Sequence, residues 1–290
     1  MDYSSCTLCA HNCRVDRTKA ARGRCRMSSE MRISRIALHP WEEPILTGAH
    51  GSGTVFFVGC SLGCVYCQNR RISRGEGGEV MSPETLAQRM LGLQEIGAAN
   101  INLVTPTHFV PSIIEAVHHA RTSGLTLPIV YNTSSYDTQE TLRALSGVVD
   151  IYLADFKYWD RRLAKRYSGA ADYPEVARAA LAEMMRQHPT PHYAPDGTLK
   201  SGVICRLLLL PGAVANSKLA LSYLYRTYGD SIILSLMNQY TPVGEQMPPL
   251  DRPVTHEEYR ELVDFAERLG VTNAFTQQHG TAKESFIPDF

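Results

Sequence analysis

The sequence is poor in the features that mark several large classes of protein. Across 290 residues no apolar run approaches the ~18 residues that a membrane span needs. The first residues, Met-Asp-Tyr-Ser-Ser-Cys6, lack the apolar core of a secretory signal. A cytoplasmic protein with no membrane partner is therefore expected. The formal net charge is zero, with 29 basic and 29 acidic side chains, so no global basic bias favours nucleic acid. No glycine-rich phosphate loop or dinucleotide fingerprint is found, which argues against a nucleotide-binding Rossmann domain. Cysteine is nearly missing from most of the chain. Beyond residue 67 only Cys205 occurs, inside an apolar strand, where it reads as a small buried hydrophobe.

What is present is concentrated at the front. Seven of the eight cysteines fall in the first 67 residues. In a cytosolic chain this points to metal or redox chemistry rather than disulfides. The stretch Cys60-Ser-Leu-Gly-Cys64-Val-Tyr-Cys67-Gln-Asn69 has C-x3-C-x2-C spacing and follows a short apolar run, residues 54–59, that reads as a buried strand. A loop at the C-terminal end of such a strand is where α/β enzymes place their chemistry. Three thiolates this close can hold three corners of a [4Fe–4S] cube, which usually takes four cysteines, and one iron then keeps a free site. Zinc would want a fourth Cys or His, and none follows until His108.

Cys6, Cys9, Cys13 and Cys25 form a second set at C-x2-C-x3-C-x11-C spacing. Their segment has little apolar periodicity and needs a metal or cross-link to fold. Four thiolates suit a closed zinc site and a [4Fe–4S] cluster equally. His11 is an alternative ligand.

The rest of the chain alternates. Strands are expected at 54–59, 100–106, 127–131, 150–156, 202–210, 231–237 and 271–275. Helices fall between them, among them one opened by Ser82-Pro83, one capped by Asp137, a long one over 160–188, and one opened by Thr255. Residues 188–201 read as a lid or short hairpin. Near-continuously apolar strands imply a parallel sheet buried on both faces, and six to seven βα units imply a barrel. We expect residues 1–49 to be a Cys-rich metal-binding extension and 50–290 to be the barrel. Trp41, in the connecting loop His39-Pro-Trp-Glu-Glu-Pro44, reads as packing. The tail 285–290 is expected to dock on the barrel. At the strand ends a barrel would gather Thr105, Thr107, His108, Asn132, Ser134, Asp155, Lys157, Arg206 and Met237. Arg206 lies among leucines, so it needs an anionic partner.

The Cys60–Cys64–Cys67 stretch resembles the signature of the radical S-adenosylmethionine (SAM) superfamily, with Tyr66 matching its aromatic position. The resemblance implies a partial (β/α)6, TIM-like barrel with a [4Fe–4S] cluster and SAM at its C-terminal mouth. SAM would be cleaved reductively to methionine and a 5′-deoxyadenosyl radical that abstracts hydrogen, with flavodoxin or ferredoxin as the low-potential electron donor. Tyr66, Asn69, Thr105, Thr107, Asn132, Ser134, Arg206 and Met237 are then candidates for SAM. Asp155, Lys157 and His108 are candidates for catalysis or substrate contact. More closely, Cys67-Gln-Asn69, Asn132-Thr-Ser-Ser-Tyr136, Asp155-Phe-Lys157 and Arg206 with Pro211-Gly212 resemble the branch around the pyruvate formate-lyase activating enzyme and its uncharacterised activase-like iron–sulfur relatives. Two departures stand out. Asn132 replaces the branch's usual Asp, and Thr105-Pro-Thr-His108 replaces its Gly-Gly-Glu element. Three readings follow: a radical SAM enzyme acting on a protein, peptide or small molecule; an activase that places a glycyl radical on a partner; and a non-catalytic iron–sulfur or zinc protein.

Overall fold

The computed structural model describes residues 2–19 and 21–277. The chain enters its main sheet as β1 (Arg32–His39), passes the short helix α1 (Pro44–Thr47) and returns antiparallel as β2 (Ser52–Phe57). After α2 (Arg70–Ser73), the two-residue β3 (Glu79–Val80) pairs with the outer edge of β1. Repeated crossovers follow: α3 (Pro83–Glu95), β4 (Ile101–Val104), α4 (Val110–Thr122), β5 (Ile129–Thr133), α5 (Gln139–Ala144) and β6 (Ile151–Asp155). Next come α6 (Arg161–Ser168), α7 (Tyr173–Gln187), β7 (His192–Tyr193), β8 (Leu199–Leu208), α8 (Val214–Tyr228), β9 (Ile233–Met237), α9 (His256–Leu269) and β10 (Ala274–Thr276). The strand order is β10-β9-β8-β6-β5-β4-β2-β1-β3. From β2 to β10 every neighbouring pair in this order is parallel, and among the described strands the ends do not meet. The result is a partial α/β barrel, as the apolar strand runs imply.

The parallel strands β4, β5, β6, β8 and β9 are rich in Leu and Ile and largely buried on both sides, as parallel strands covered by helices must be. The concave side is filled from below. Leu46 of α1 is fully buried against Val130, Ile151, Leu153, Ile204 and Ile233. Because β1 runs antiparallel to β2, its exit lies at the end of the barrel opposite the cysteine loop, and α1 closes that end. Burying Leu46 this way contributes about 2 kcal/mol.

Local chemistry sets the helix ends. Ser82 accepts from the Thr85 N–H with Pro83 in the first turn, and Thr255 and Glu258 form a capping box on α9. Two helix expectations change. The expected 160–188 helix is two helices: Asp160 caps α6, Gly169 at φ 67° ends it, and α7 restarts with Pro174 in its first turn. Thr138, not Asp137, caps α5. Asp137 is instead buried, accepting from the hydroxyls of Tyr131 (2.8 Å) and Thr133 (2.6 Å). The 188–201 stretch is a hairpin, β7 pairing antiparallel with the start of β8. β1 belongs to the barrel's own sheet, so of the first 49 residues only those before it lie outside that sheet. The expectation for 285–290 falls outside the described residues.

Candidate active site

The C-terminal strand ends open into one cavity of about 560 Å³, within the range of about 300–1,000 Å³ usual for small-molecule sites. β2 delivers the cysteine loop to its rim. Gly63, at φ 60°, turns the loop in a conformation that a β-carbon would strain. Cys60, Cys64 and Cys67 all line the cavity, as do Tyr66, Asn69, Thr105, Asn132, Ser134, Asp155, Lys157, Arg206 and Met237. Twelve of the fourteen residues expected at the mouth or in the cysteine loop thus line one space.

The thiols have fixed surroundings. The Gly63 N–H donates to Cys60 Sγ at 3.5 Å, and the Ser168 hydroxyl donates to Cys64 Sγ at 3.0 Å. Ser168 is itself bonded to Tyr158 Oη (2.7 Å), which donates to Tyr66 Oη (2.7 Å). The aromatic residue of the cysteine loop is therefore nearly buried and tied to Cys64 through two hydroxyls. Burial, with Cys64 and Cys67 adding to it, pushes the Cys60 thiol up to about 12. A metal must displace those protons, and a trio of soft ligands facing open space suits one. Among the described residues no three cysteine thiols lie within 4.8 Å of one another. That opening fits the edge of a multi-iron cluster better than a single ion.

Charge is layered below. Lys157 Nζ lies 2.6 Å from Asp155 Oδ2. Burial works against its charge, but Asp155 and the nearby cysteines hold its pKa above the ordinary value. Deeper in, Arg206 donates twice to Glu43, from Nε at 2.8 Å and from an Nη at 2.6 Å, and also to Glu42. Glu42 also accepts from Asn102 Nδ2 at 2.8 Å. Burial pushes Glu43 up, yet Arg206 more than offsets this and holds it below the usual carboxylate value. The anionic partner that Arg206 needs is thus a pair of glutamates from the β1–α1 loop. The loop's sequence, Glu-Glu-Pro beside Trp41, gave no sign of this. Only the antiparallel course of β1 brings it inside the barrel. Trp41, expected to pack, is 57% exposed at the cavity wall.

Two expected residues are elsewhere. Thr107 joins the buried Asp137 network. His108 is buried outside the cavity: its Nε2–H donates to the Val58 carbonyl at 2.7 Å, and burial lowers its pKa to about 3, so it is neutral. It sits in the wall between the cysteine loop and the N-terminal segment.

That segment gathers the second cysteine set. Cys9 pairs in a bridge with Asp137, and the Leu8 carbonyl accepts from Thr141 at 2.9 Å, so the loop docks beside the end of β5. Burial pushes the Cys9 thiol up to about 12, and Cys25, Cys13 and Cys6 lie near enough to add to it. None of the four lines the cavity. His11 turns away from them, donating from Nε2 to the Ser61 carbonyl at 2.8 Å.

Residues 54–187 match the model of the radical SAM superfamily, so the chain carries a radical SAM domain there. The domain implies a [4Fe–4S] cluster and SAM. An uncharacterised protein of Methanocaldococcus jannaschii is 28% identical over 280 residues, covering 93% of this chain and 76% of that one. Among solved structures, Streptococcus suis SuiB bound to its precursor peptide SuiA superposes with a TM-score of 0.51 at 10% identity, covering 77% of this chain and 47% of that chain. HydG, a maturase of the [FeFe]-hydrogenase, superposes with a TM-score of 0.54 at 14% identity, covering 78% and 52%. These two likenesses are of fold, and the chain spans about half the length of either structure. No helix among the described residues is long and apolar enough to cross a membrane.

Proposed function

We propose that the protein is an enzyme that cleaves SAM reductively at a [4Fe–4S] cluster on Cys60, Cys64 and Cys67 and uses the product radical to abstract hydrogen from a substrate held in the same cavity. The observation that carries this is the convergence of those three thiols with the polar strand ends in one space. When bound, cluster and SAM supply the one-electron cleavage of the sulfonium; the protein supplies position, charge and dryness. Asn69, Thr105, Asn132 and Ser134 offer the short polar groups that amino-acid and ribose portions need, and Met237 an apolar surface. Lys157 holds a positive charge beside the cysteines, oriented by Asp155. Arg206, satisfied by Glu42 and Glu43, is taken out of SAM recognition. With them it forms a polar floor that reads the far end of the substrate.

The reductant is a low-potential carrier such as a flavodoxin or ferredoxin. The substrate class is a peptide or small molecule. SuiB, solved with its precursor peptide, offers a parallel for the former. The test is anaerobic reconstitution with iron and sulfide, then dithionite and SAM. Formation of 5′-deoxyadenosine by wild type, and its loss to background in Cys64→Ala, is the expected outcome. Iron-loaded wild type that forms none sinks the reading. A stable glycyl radical signal on a partner protein would assign the activase role instead.

A further inference from the structure

The N-terminal cysteines are not used by the SAM chemistry above, and their surroundings say more than their spacing does. We infer that Cys6, Cys9, Cys13 and Cys25 hold a second [4Fe–4S] cluster, and that the buried Arg17 is the cation that compensates its charge.

Three observations carry this. The first is size. A tetrahedral zinc with Zn–S bonds of about 2.3 Å draws its thiolates to within about 3.8 Å of one another. Backbone hydrogen bonds from Arg14 N–H to the Cys6 carbonyl and from Asn12 N–H to the Cys9 carbonyl, each 2.9 Å, fold the first three cysteines together, and Cys13 Sγ packs on Gly23 just before Cys25, yet no three of the thiols lie within 4.8 Å of one another. A cube with an iron at each corner spreads its ligands to that wider spacing. The second is charge. Arg17 is fully buried. Its donors meet the carbonyls of Met27 (3.0 Å), His108 (2.6 Å) and Ser28 (2.6 Å), and Cys6 Sγ at 3.6 Å. Among the described residues no carboxylate pairs with it, and a buried guanidinium without an anion is costly. A tetrathiolate centre is anionic and touches it through Cys6. The third is backbone. Asn12, Arg14 and Arg26, all next to a ligand cysteine, have φ of 46°, 54° and 66°, a strain that persists only where surroundings enforce it. The Arg24 N–H donates to Cys13 Sγ at 3.3 Å, the kind of contact that tunes iron–sulfur potentials.

The site also abuts the first. A β-carbon on Gly59, the residue before Cys60, would lie 2.8 Å from the Cys25 carbonyl and 3.0 Å from His108 Nε2. The two cysteine loops are therefore packed back to back with room only for glycine between them.

The test uses a full-length chain in which Cys60, Cys64 and Cys67 are all replaced by Ala, so it does not depend on SAM cleavage. Reconstituted anaerobically, it should bind about four irons and four sulfides and give a reducible paramagnetic signal. One zinc and no acid-labile sulfide would overturn the inference, as would no metal at all. In the same background Arg17→Gln should keep its iron and become harder to reduce, because a cation that favours the reduced, more negative state is lost. A tenfold fall in the reduction equilibrium is expected, about 59 mV for one electron. An unchanged potential with full iron would remove Arg17 from the assignment. If Arg17→Gln does not fold, the iron and sulfide count of the triple variant still decides the metal. Failure of wild type to cleave SAM would sink the proposed function and leave this result standing.

Discussion

Two regions of the molecule set cysteines near a buried arginine, and they balance charge in opposite ways. In the cavity, Arg206 is paired with Glu42 and Glu43, one cation against two carboxylates, so its charge is met before anything binds. The three thiols are left facing open space. At the N-terminus, Arg17 meets only carbonyls and a thiol, and the four cysteines sit outside the cavity. The first region is complete without metal and incomplete in coordination. The second is complete in coordination and incomplete in charge without metal. That contrast separates a centre built to receive a cofactor from one built to be filled and closed.

The largest expected effect breaks the comparison at the second region. Residues 2–30 carry little apolar periodicity, and in the inference above a metal centre is what orders them. Cys25→Ala should expose this segment to trypsin at its many arginines and lower the denaturation midpoint. Cys64→Ala, at a loop held by strand and helix on either side, should leave both near wild type. Equal protease resistance in the two variants would erase the distinction.

Arg206→Met is expected to destabilise by about 3–5 kcal/mol, because two buried carboxylates lose their partner. Replacing Glu42 and Glu43 by Gln in the same chain should recover most of that, since neutral amides leave no uncompensated charge. A destabilisation that the double replacement does not relieve would mean that Arg206 acts by packing rather than by charge.

The sequence made the mouth of the barrel legible and left its floor hidden, for a physical reason. Strand-end residues declare themselves, because a polar group following an apolar strand has few other places to go. Asn132, Asp155 and Lys157 were found this way. Glu42 and Glu43 sit in a loop whose course depends on the antiparallel pairing of β1, which no local period encodes. His108 also follows a strand, but it lies within a short 3-10 turn, Thr107–Phe109, and its ring is buried outside the cavity. The 160–188 helix splits where Gly169, in the left-handed region, ends α6 and Pro174 opens α7. Zinc and a second cluster stand even at the N-terminus on sequence alone, because spacing along the chain does not report spacing between thiols.

The smallest effect serves as a control for both regions. Glu258 lies on α9, apart from either cysteine set, where it completes the capping box with Thr255 and takes two hydrogen bonds from Arg252 at 2.8 Å. These bonds, Arg252 first, lower its pKa from 4.5 to about 2. A carboxylate depressed in the folded state contributes stability that is present above its unfolded value of 4.5 and is lost as pH falls toward 2. Glu258→Gln should therefore cost about 1 kcal/mol at pH 7, measured by denaturant unfolding, and the difference from wild type should shrink as pH falls below 4.5. Iron content and SAM cleavage should not change. If they do, loss of general stability reaches the cysteine sites, and the contrast between them must be redrawn from variants matched in stability.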